Sequence, residues 1–394
     1  MRRFFLFLFF TISIFFSCCD TYAQRKILND QDAIVGASRL ELYLPEIKDK
    51  NVGIVANQTS IFNDTHLIDT LLTYNIDIRK IFTPEHGFRG KADEGASVGN
   101  SIDEKTNIPI ISLYGNNKKP TSSQLEDIDV LLFDLQDVGT RFYTYISTMT
   151  YVMEAAAEND ISVIILDRPN PNGFYIDGPV LEDENSSFVG LHQVPVVYGL
   201  TIGEYALMVN GEHWLKDSLQ CNLQVIPLGD YDRDCIYRLS VKPSPNLPNW
   251  ESVYLYPSLC FFEGTVVSVG RGTQFPFQVY GHPSIQAYFT FTPRQAEGRN
   301  KPLLCDKQCF GKNLTDYAHN FKKEKAKINL SWLIETYNQL KDKEKFFNNF
   351  FLKLSGTKEL QQQIEDGLSE KEIRDSWKEE LDKYKEIRKK YLLY

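Results

Sequence analysis

The sequence predicts an α/β fold built on a mostly parallel sheet. Strand-like and helix-like segments alternate from about Ile34 to Pro171. Several of the strand-like runs end in polar residues, as strands do where they leave a sheet. After Pro171 the texture changes, with frequent Pro and Gly and aromatic runs such as Tyr254-Leu255-Tyr256. Repeated βα alternation places helices on both faces of a parallel sheet.

The elements follow in order. Arg2 and Arg3 precede an apolar run from Phe4 to Phe16, the pattern of an export signal. That run is short for a membrane span. Ser17-Cys18-Cys19 resembles a loose lipobox, which would leave a lipidated cysteine. Thr21-Tyr22-Ala23 before Gln24 resembles an ordinary signal-peptidase site. Residues 1–23 are therefore expected outside the fold. The protein is expected to be exported, either periplasmic or lipid-anchored in the cell envelope.

Asn51 to Asn57 is a short apolar run with a polar end, and His66 to Tyr74 has helical spacing. Ile76 to Phe82 mixes apolar and polar residues nearly in alternation, like a half-buried strand. Ile108–Tyr114, Val130–Leu135 and Ile161–Leu166 read as strands, and Thr140 to Glu158 as the longest helix of this half. Further on, Gly203 to Leu215 reads as helix. Leu223–Leu228, Thr265–Val269 and Gln286–Thr292 read as strands. From Lys358 to Tyr394 the chain is charged with helical apolar spacing, interrupted near Gly367-Leu368-Ser369. Ser369 and Glu372 form a capping-box pattern that restarts the helix. These textures divide the chain into 30–200 and 201–394.

The 394 residues suffice for two domains with a sizeable core. A formal net charge of −9 argues against a nucleic-acid partner. Five cysteines lie beyond the signal: Cys221, Cys235, Cys260, Cys305 and Cys309. Their odd number dictates no pairing, and Cys305 and Cys309 lack companion zinc ligands. There is no G-x-G-x-x-G, no P-loop and no H-E-x-x-H, so no cofactor and no metal are expected. Gly95 to Gly99 matches G-x-S-x-G, but no strand precedes it and no helix follows.

A parallel sheet gathers its strand ends along one edge, where ligands bind. Asn57, Glu85 with His86, Asp134 with Asp137, and Asp167 with Arg168 fall at successive ends. Glu85, between Pro84 and Gly87, would be held by backbone geometry, which suits a general acid or base. A turn carboxylate paired with Arg89 is the alternative. Asp137 to Thr140 would cap the start of the long helix. Arg141 offers a bidentate grip on a carboxylate. Tyr143 and Tyr145 suit either stacking on a sugar or core packing. Asp167, Arg168 and Asn170 begin a rigid, proline-rich exit. They read either as a structural turn or as substrate contacts. Asn246 lies in Ser244-Pro245-Asn246-Leu247-Pro248. Arg271 sits between two glycines, which let the backbone approach closely and leave the guanidinium exposed.

As a set these residues look familiar. PEHGFRG at 84–90, FDLQDVGTRFYTYISTM at 133–149, LDRPNPNG at 166–173, PSPNLP at 243–248 and EGTVVSVGRGTQFPF at 263–277 occur in one order. Together they resemble the bacterial exo-β-N-acetylmuramidases of the NamZ type, over roughly Val52 to Tyr280 and again at the ending Lys389 to Tyr394. The resemblance implies a Rossmann-like first domain, a smaller α+β second domain and a cleft between them. It implies release of terminal N-acetylmuramic acid from peptidoglycan fragments, with Glu85 as the catalytic residue. The partners would then be peptidoglycan-derived sugars, and the membrane only through a lipid anchor.

Glycoside hydrolysis commonly uses two carboxyl groups. Asp134 or Asp137 would supply the second. The substrate's own acetamido group is another route. The lactyl carboxylate of muramic acid calls for a cation, and Arg141 and Arg271 are the first choices, with Arg168 behind them. Two other classes remain open on the sequence. One is a metal-dependent hydrolase using His86, Asp134 and Asp167. The other is a non-catalytic glycan-binding protein of the cell envelope.

Overall fold

The computed structural model describes residues 27–29, 32–85, 87–88, 101–296, 300–321 and 323–394. Residues 1–23, expected to be an export signal, His86, Arg89 and the Gly95–Gly99 stretch lie outside the described residues.

Seven strands form the central sheet: β1 (Asn51–Ala56), β2 (Asp77–Thr83), β3 (Ser101–Ile102), β4 (Pro109–Ser112), β5 (Val130–Asp134), β6 (Ser162–Leu166) and β7 (Leu223–Ile226). Their order is β7-β6-β5-β1-β2-β4-β3, and all neighbours run parallel except β3 on β4. The central strand shows why both faces are covered. Val52, Ile54 and Ala56 face one core with Leu67, Ile68 and Leu71 of α1 (Leu67–Thr73). Val55 faces the other, with Phe133 and with Met149 and Met153 of α2 (Tyr145–Glu158). Strands buried on both faces are what a parallel sheet requires. This is the mixed α/β architecture that the alternation predicts.

The structure revises four boundaries. First, β7 pairs with β6 from Leu223↔Val163 to Ile226↔Leu166. Its preceding helix α3 (Ile202–Gly211) lies against α2 and β6. A division at residue 201 would cut this sheet, because the turn-rich texture after Pro171 does not end it. Second, α2 begins at Tyr145, not near Thr140. Thr140 bridges Val197, the Arg141 N–H donates to the Val196 carbonyl at 2.8 Å and the Tyr143 N–H to the Thr140 carbonyl at 3.0 Å, so a bridge and a turn precede the helix. Third, 265–269 makes only isolated bridges, Thr265 to Phe347 and Ser268 to Gly281. Fourth, the strand expected at 286–292 is Phe289–Phe291. It is the edge of a small antiparallel sheet with Val279–His282 and Cys309–Asn313.

Beyond β7 the chain adds α4 (Trp250–Leu259), that small sheet, and α5 (Phe350–Ser355). The capping box at Ser369 and Glu372 is present and starts α6 (Glu370–Ser376), followed by α7 (Lys378–Lys389). The chain then returns to the central sheet. The Tyr384 hydroxyl donates to the Tyr198 carbonyl at 2.7 Å, and the Tyr394 hydroxyl to Asp167 at 2.8 Å. The five cysteines form no disulfide.

Candidate active site

A cavity of about 280 Å³ opens beyond the carboxyl end of β2. Glu85 lines it from the first unit, together with the Phe142–Tyr145 segment before α2. The chain after β7 contributes Asn246 and Leu247, Tyr256 of α4, Glu263, Arg271 and Phe277, and Phe350 and Leu354 of α5. The cavity therefore lies between the sheet and the later elements.

Local geometry explains how each group is held. The Gly87 N–H donates to the Pro84 carbonyl at 3.3 Å, closing a tight turn around Glu85. Gly87 has φ +74°, a conformation that favours glycine. Glu85 is partly exposed. Tyr143 and Tyr145 meet edge to face with centroids 4.7 Å apart. The Tyr143 hydroxyl donates to the Pro243 carbonyl at 2.8 Å, while Asn57 at the end of β1 donates to the Tyr145 hydroxyl at 2.7 Å. Burial pushes both phenols up, so they stay neutral donors.

On the opposite wall Glu263 ends the short turn Cys260–Gly264 after α4. Its Oε1 accepts from Nε and Nη2 of Arg271, both at 2.6 Å. Among the described residues, its Oε2 has the weak Cys260 thiol donor at 3.6 Å. Both side chains keep about a fifth of their surface open, 20 % for Glu263 and 22 % for Arg271. Burial, then the charge of Glu85, pushes the Glu263 carboxyl above the ordinary range. The two guanidinium bonds stabilise the anion and oppose that push. Arg271 is held by a loop flanked by Gly270 (φ +79°) and Gly272 (φ +77°). A side chain at Gly270 would strike Val279 Cγ2 at 2.5 Å.

The other residues expected at the site are engaged elsewhere. Asp134 is fully buried and takes Arg168 Nε at 2.5 Å and Nη2 at 3.0 Å. Arg168 borders a separate hollow on the Asn63 side. Asp137 accepts from the Gly139 N–H at 2.6 Å and from the Tyr198 hydroxyl, and burial pushes it up to about 6. It caps a turn and not a helix, because α2 starts later. Asp167 is also fully buried. It accepts from Thr201, Gly203, Tyr394 and the Arg168 N–H, and burial pushes it up to about 7. The Asn170 amide donates to the Leu200 carbonyl at 2.6 Å and its side chain fills the space beside Gly139.

Arg141 departs furthest from expectation. It is fully buried, and its two terminal nitrogens donate to the carbonyls of Pro179, Val194, Leu354 and Ser355. It ties the first unit to the end of α5 and faces no ligand space. Burial lowers its guanidinium to about 9. Arg271 is the cation among the described lining residues.

Of the expected residues, the structure thus brings Glu85, Tyr143, Tyr145, Asn246 and Arg271 to one cavity. Sequence reasoning missed Glu263. The available signal was its place at the head of EGTVVSVGRG, eight residues before Arg271. Among the described residues, no group of three His, Cys, Asp or Glu side chains could hold a metal ion.

Two carboxyls and a guanidinium around a tyrosine-walled cavity are the kinds of group that a glycoside hydrolase uses. Family models described as exo-β-N-acetylmuramidase NamZ, N-terminal and C-terminal, match residues 52–251 and 254–394. The chain belongs to that family. It is 40 % identical over 372 residues to the peptidoglycan β-N-acetylmuramidase NamZ of Bacillus subtilis (strain 168), covering 89 % of each chain. Two crystal structures of DUF1343-family proteins from Bacteroides fragilis NCTC 9343 are also similar. One has a TM-score of 0.84 at 46 % identity, the other 0.81 at 30 %. Each alignment covers 92 % of this chain and 99 % of the other. The junction of the family models, between 251 and 254, falls after the last strand of the central sheet.

Proposed function

We propose that the protein hydrolyses the bond that links a terminal, non-reducing N-acetylmuramic acid to the rest of a peptidoglycan fragment, with Glu85 as the general acid. One observation carries the assignment of Glu85. Of the acids at the strand ends, it is the one that lines a cavity, whereas Asp134, Asp137 and Asp167 are bound internally. The name of the Bacillus subtilis relative supports the substrate class. The small cavity suits a single terminal sugar, and Arg271, the cation among its described lining residues, supports a role in binding the lactyl carboxylate that distinguishes muramic acid from glucosamine.

The test is hydrolysis of a disaccharide that ends in a non-reducing N-acetylmuramic acid by wild type and Glu85→Gln. Losing general acid assistance is worth roughly 10²–10⁴-fold, and a loss of that order in the variant is expected on a substrate with a poor leaving group. Undiminished turnover in the variant would remove Glu85 from the mechanism. No turnover by wild type would favour a glycan-binding role.

A further inference from the structure

The cavity contains a second carboxyl that neither the strand-end pattern nor the family descriptions assign. We infer that Glu263 is the second catalytic carboxyl of this site, the group that takes the proton given up by the attacking nucleophile. The inference rests on the muramidase reading above.

Four observations support it. Glu263 and Glu85 line the same cavity from opposite units. They are close enough in space that the charge of Glu85 acts on both Glu263 and Arg271. Oε1 of Glu263 is occupied by both Arg271 nitrogens at 2.6 Å, which favours the carboxylate form. Oε2 has a thiol at 3.6 Å and no stronger donor among the described residues, so it is free to accept a proton. The backbone beneath is rigid. A Cβ at Gly264 would lie 2.4 Å from Phe351 Cα, so α5 is pressed against this turn.

The proton balance is simple. Glu85 gives its proton to the glycosidic oxygen as the bond from that oxygen to C1 breaks. The attacking group, water or the substrate's own acetamide, bonds to C1 through oxygen and releases its proton to Glu263 Oε2. With water as nucleophile, Glu263 then releases its proton to solvent and Glu85 takes one up. With the acetamide, the N–H proton goes to Glu263 and an oxazoline forms; water then attacks C1, Glu85 takes the water proton and Glu263 returns its own to nitrogen. Either way one water is consumed and both carboxyls return to their starting state. Asp134 and Asp137 are not needed for either step.

The experiment compares wild type, Glu85→Gln and Glu263→Gln on two substrates, an aryl β-N-acetylmuramide with an activated leaving group and a disaccharide with a poor one. An activated leaving group needs little protonation, so Glu85→Gln should lose less on the aryl substrate than on the disaccharide. Glu263→Gln should lose kcat by about 10²-fold or more on both, because nucleophile activation is common to them. A Glu263→Gln enzyme with kcat within about threefold of wild type and only KM raised would overturn the inference and leave Glu263 as a partner of Arg271. If Glu263→Gln does not fold, Arg271→Gln gives a second reading. Loss of the guanidinium raises the proton affinity of Glu263, so the acidic limb of kcat/KM should move to higher pH. An unmoved limb overturns the inference. Absence of wild-type turnover overturns both this and the muramidase reading, whereas active wild type with active Glu263→Gln overturns this one alone.

Discussion

Two clusters of charged side chains lie beyond the strands of the same sheet, and they are built in opposite ways. In the first, Asp134 and Asp167 are fully buried, and the carboxylates are saturated by Arg168, Thr201, Gly203 and Tyr394. In the second, Glu85, Glu263 and Arg271 stay partly open around a cavity, with one carboxylate oxygen of Glu263 nearly unbonded. A strand end supplies the position in both. What separates a site from a scaffold is whether the donors and acceptors have been used up inside the protein. A buried charge that loses its partner is costly, so the first cluster is committed to holding the sheet together. The second keeps unused bonding capacity for a ligand.

That contrast can be broken by exchange of roles. Asp134→Ala removes the carboxylate that Arg168, itself only 4 % exposed, binds through two nitrogens, and losses of that kind run to roughly 3–5 kcal/mol. The urea midpoint should fall by the corresponding amount, while turnover per folded molecule stays within a few-fold of wild type. A stable but inactive variant would move Asp134 into the chemistry. Arg271→Ala belongs to the open cluster. It should lower selectivity for muramides over glucosaminides by about 10-fold or more, the worth of a charged hydrogen bond, with a smaller change in midpoint than Asp134→Ala. An unchanged ratio would send the lactyl group elsewhere.

Asp167 sharpens the comparison through pH. Its folded-state carboxyl is raised to about 7, above its value in an unfolded chain. The proton therefore binds the folded form more tightly. The contribution is fully present below the unfolded value near ~3.9 and is lost as pH rises through about 7. Asp167→Asn should be less stable overall, but its stability should vary less between those limits. The difference in slope is at most ~1.4 kcal/mol per pH unit. Parallel slopes for the two proteins would show that Asp167 is ionised throughout.

Much of the fold was legible because its signals are local. The apolar runs at Asn51–Asn57 and Val130–Leu135 need only their own sequence to read as buried strands. Ser369 and Glu372 announce a helix start within four residues. The site was half legible. Glu85 stands at a strand end beside Pro84, which any reading of a parallel sheet would single out. Glu263 follows a helix in another unit, and only long-range folding brings it to the same cavity. Arg141 misled for a related reason. An arginine near the start of a helix offers a free grip in sequence, but here residues 140–143 form a turn ahead of the helix. That course buries the side chain among four carbonyls. The strand expected at 265–269 failed because its β-branched run is used to reach two different partners, Phe347 and Gly281.

The Arg141 contacts also bear on how the protein reaches its native state. Its bonds to Leu354 and Ser355 span 213 and 214 positions, and Leu354 is part of the cavity wall. Contacts that close loops of this length slow folding, because the chain entropy is lost before the contact stabilises anything. Cavity wall and strand ends share this dependence, since the Tyr394 hydroxyl reaches Asp167 across 227 positions. Both are closed by contacts that span more than half of the chain, so neither is a local unit that could stand without the far segment.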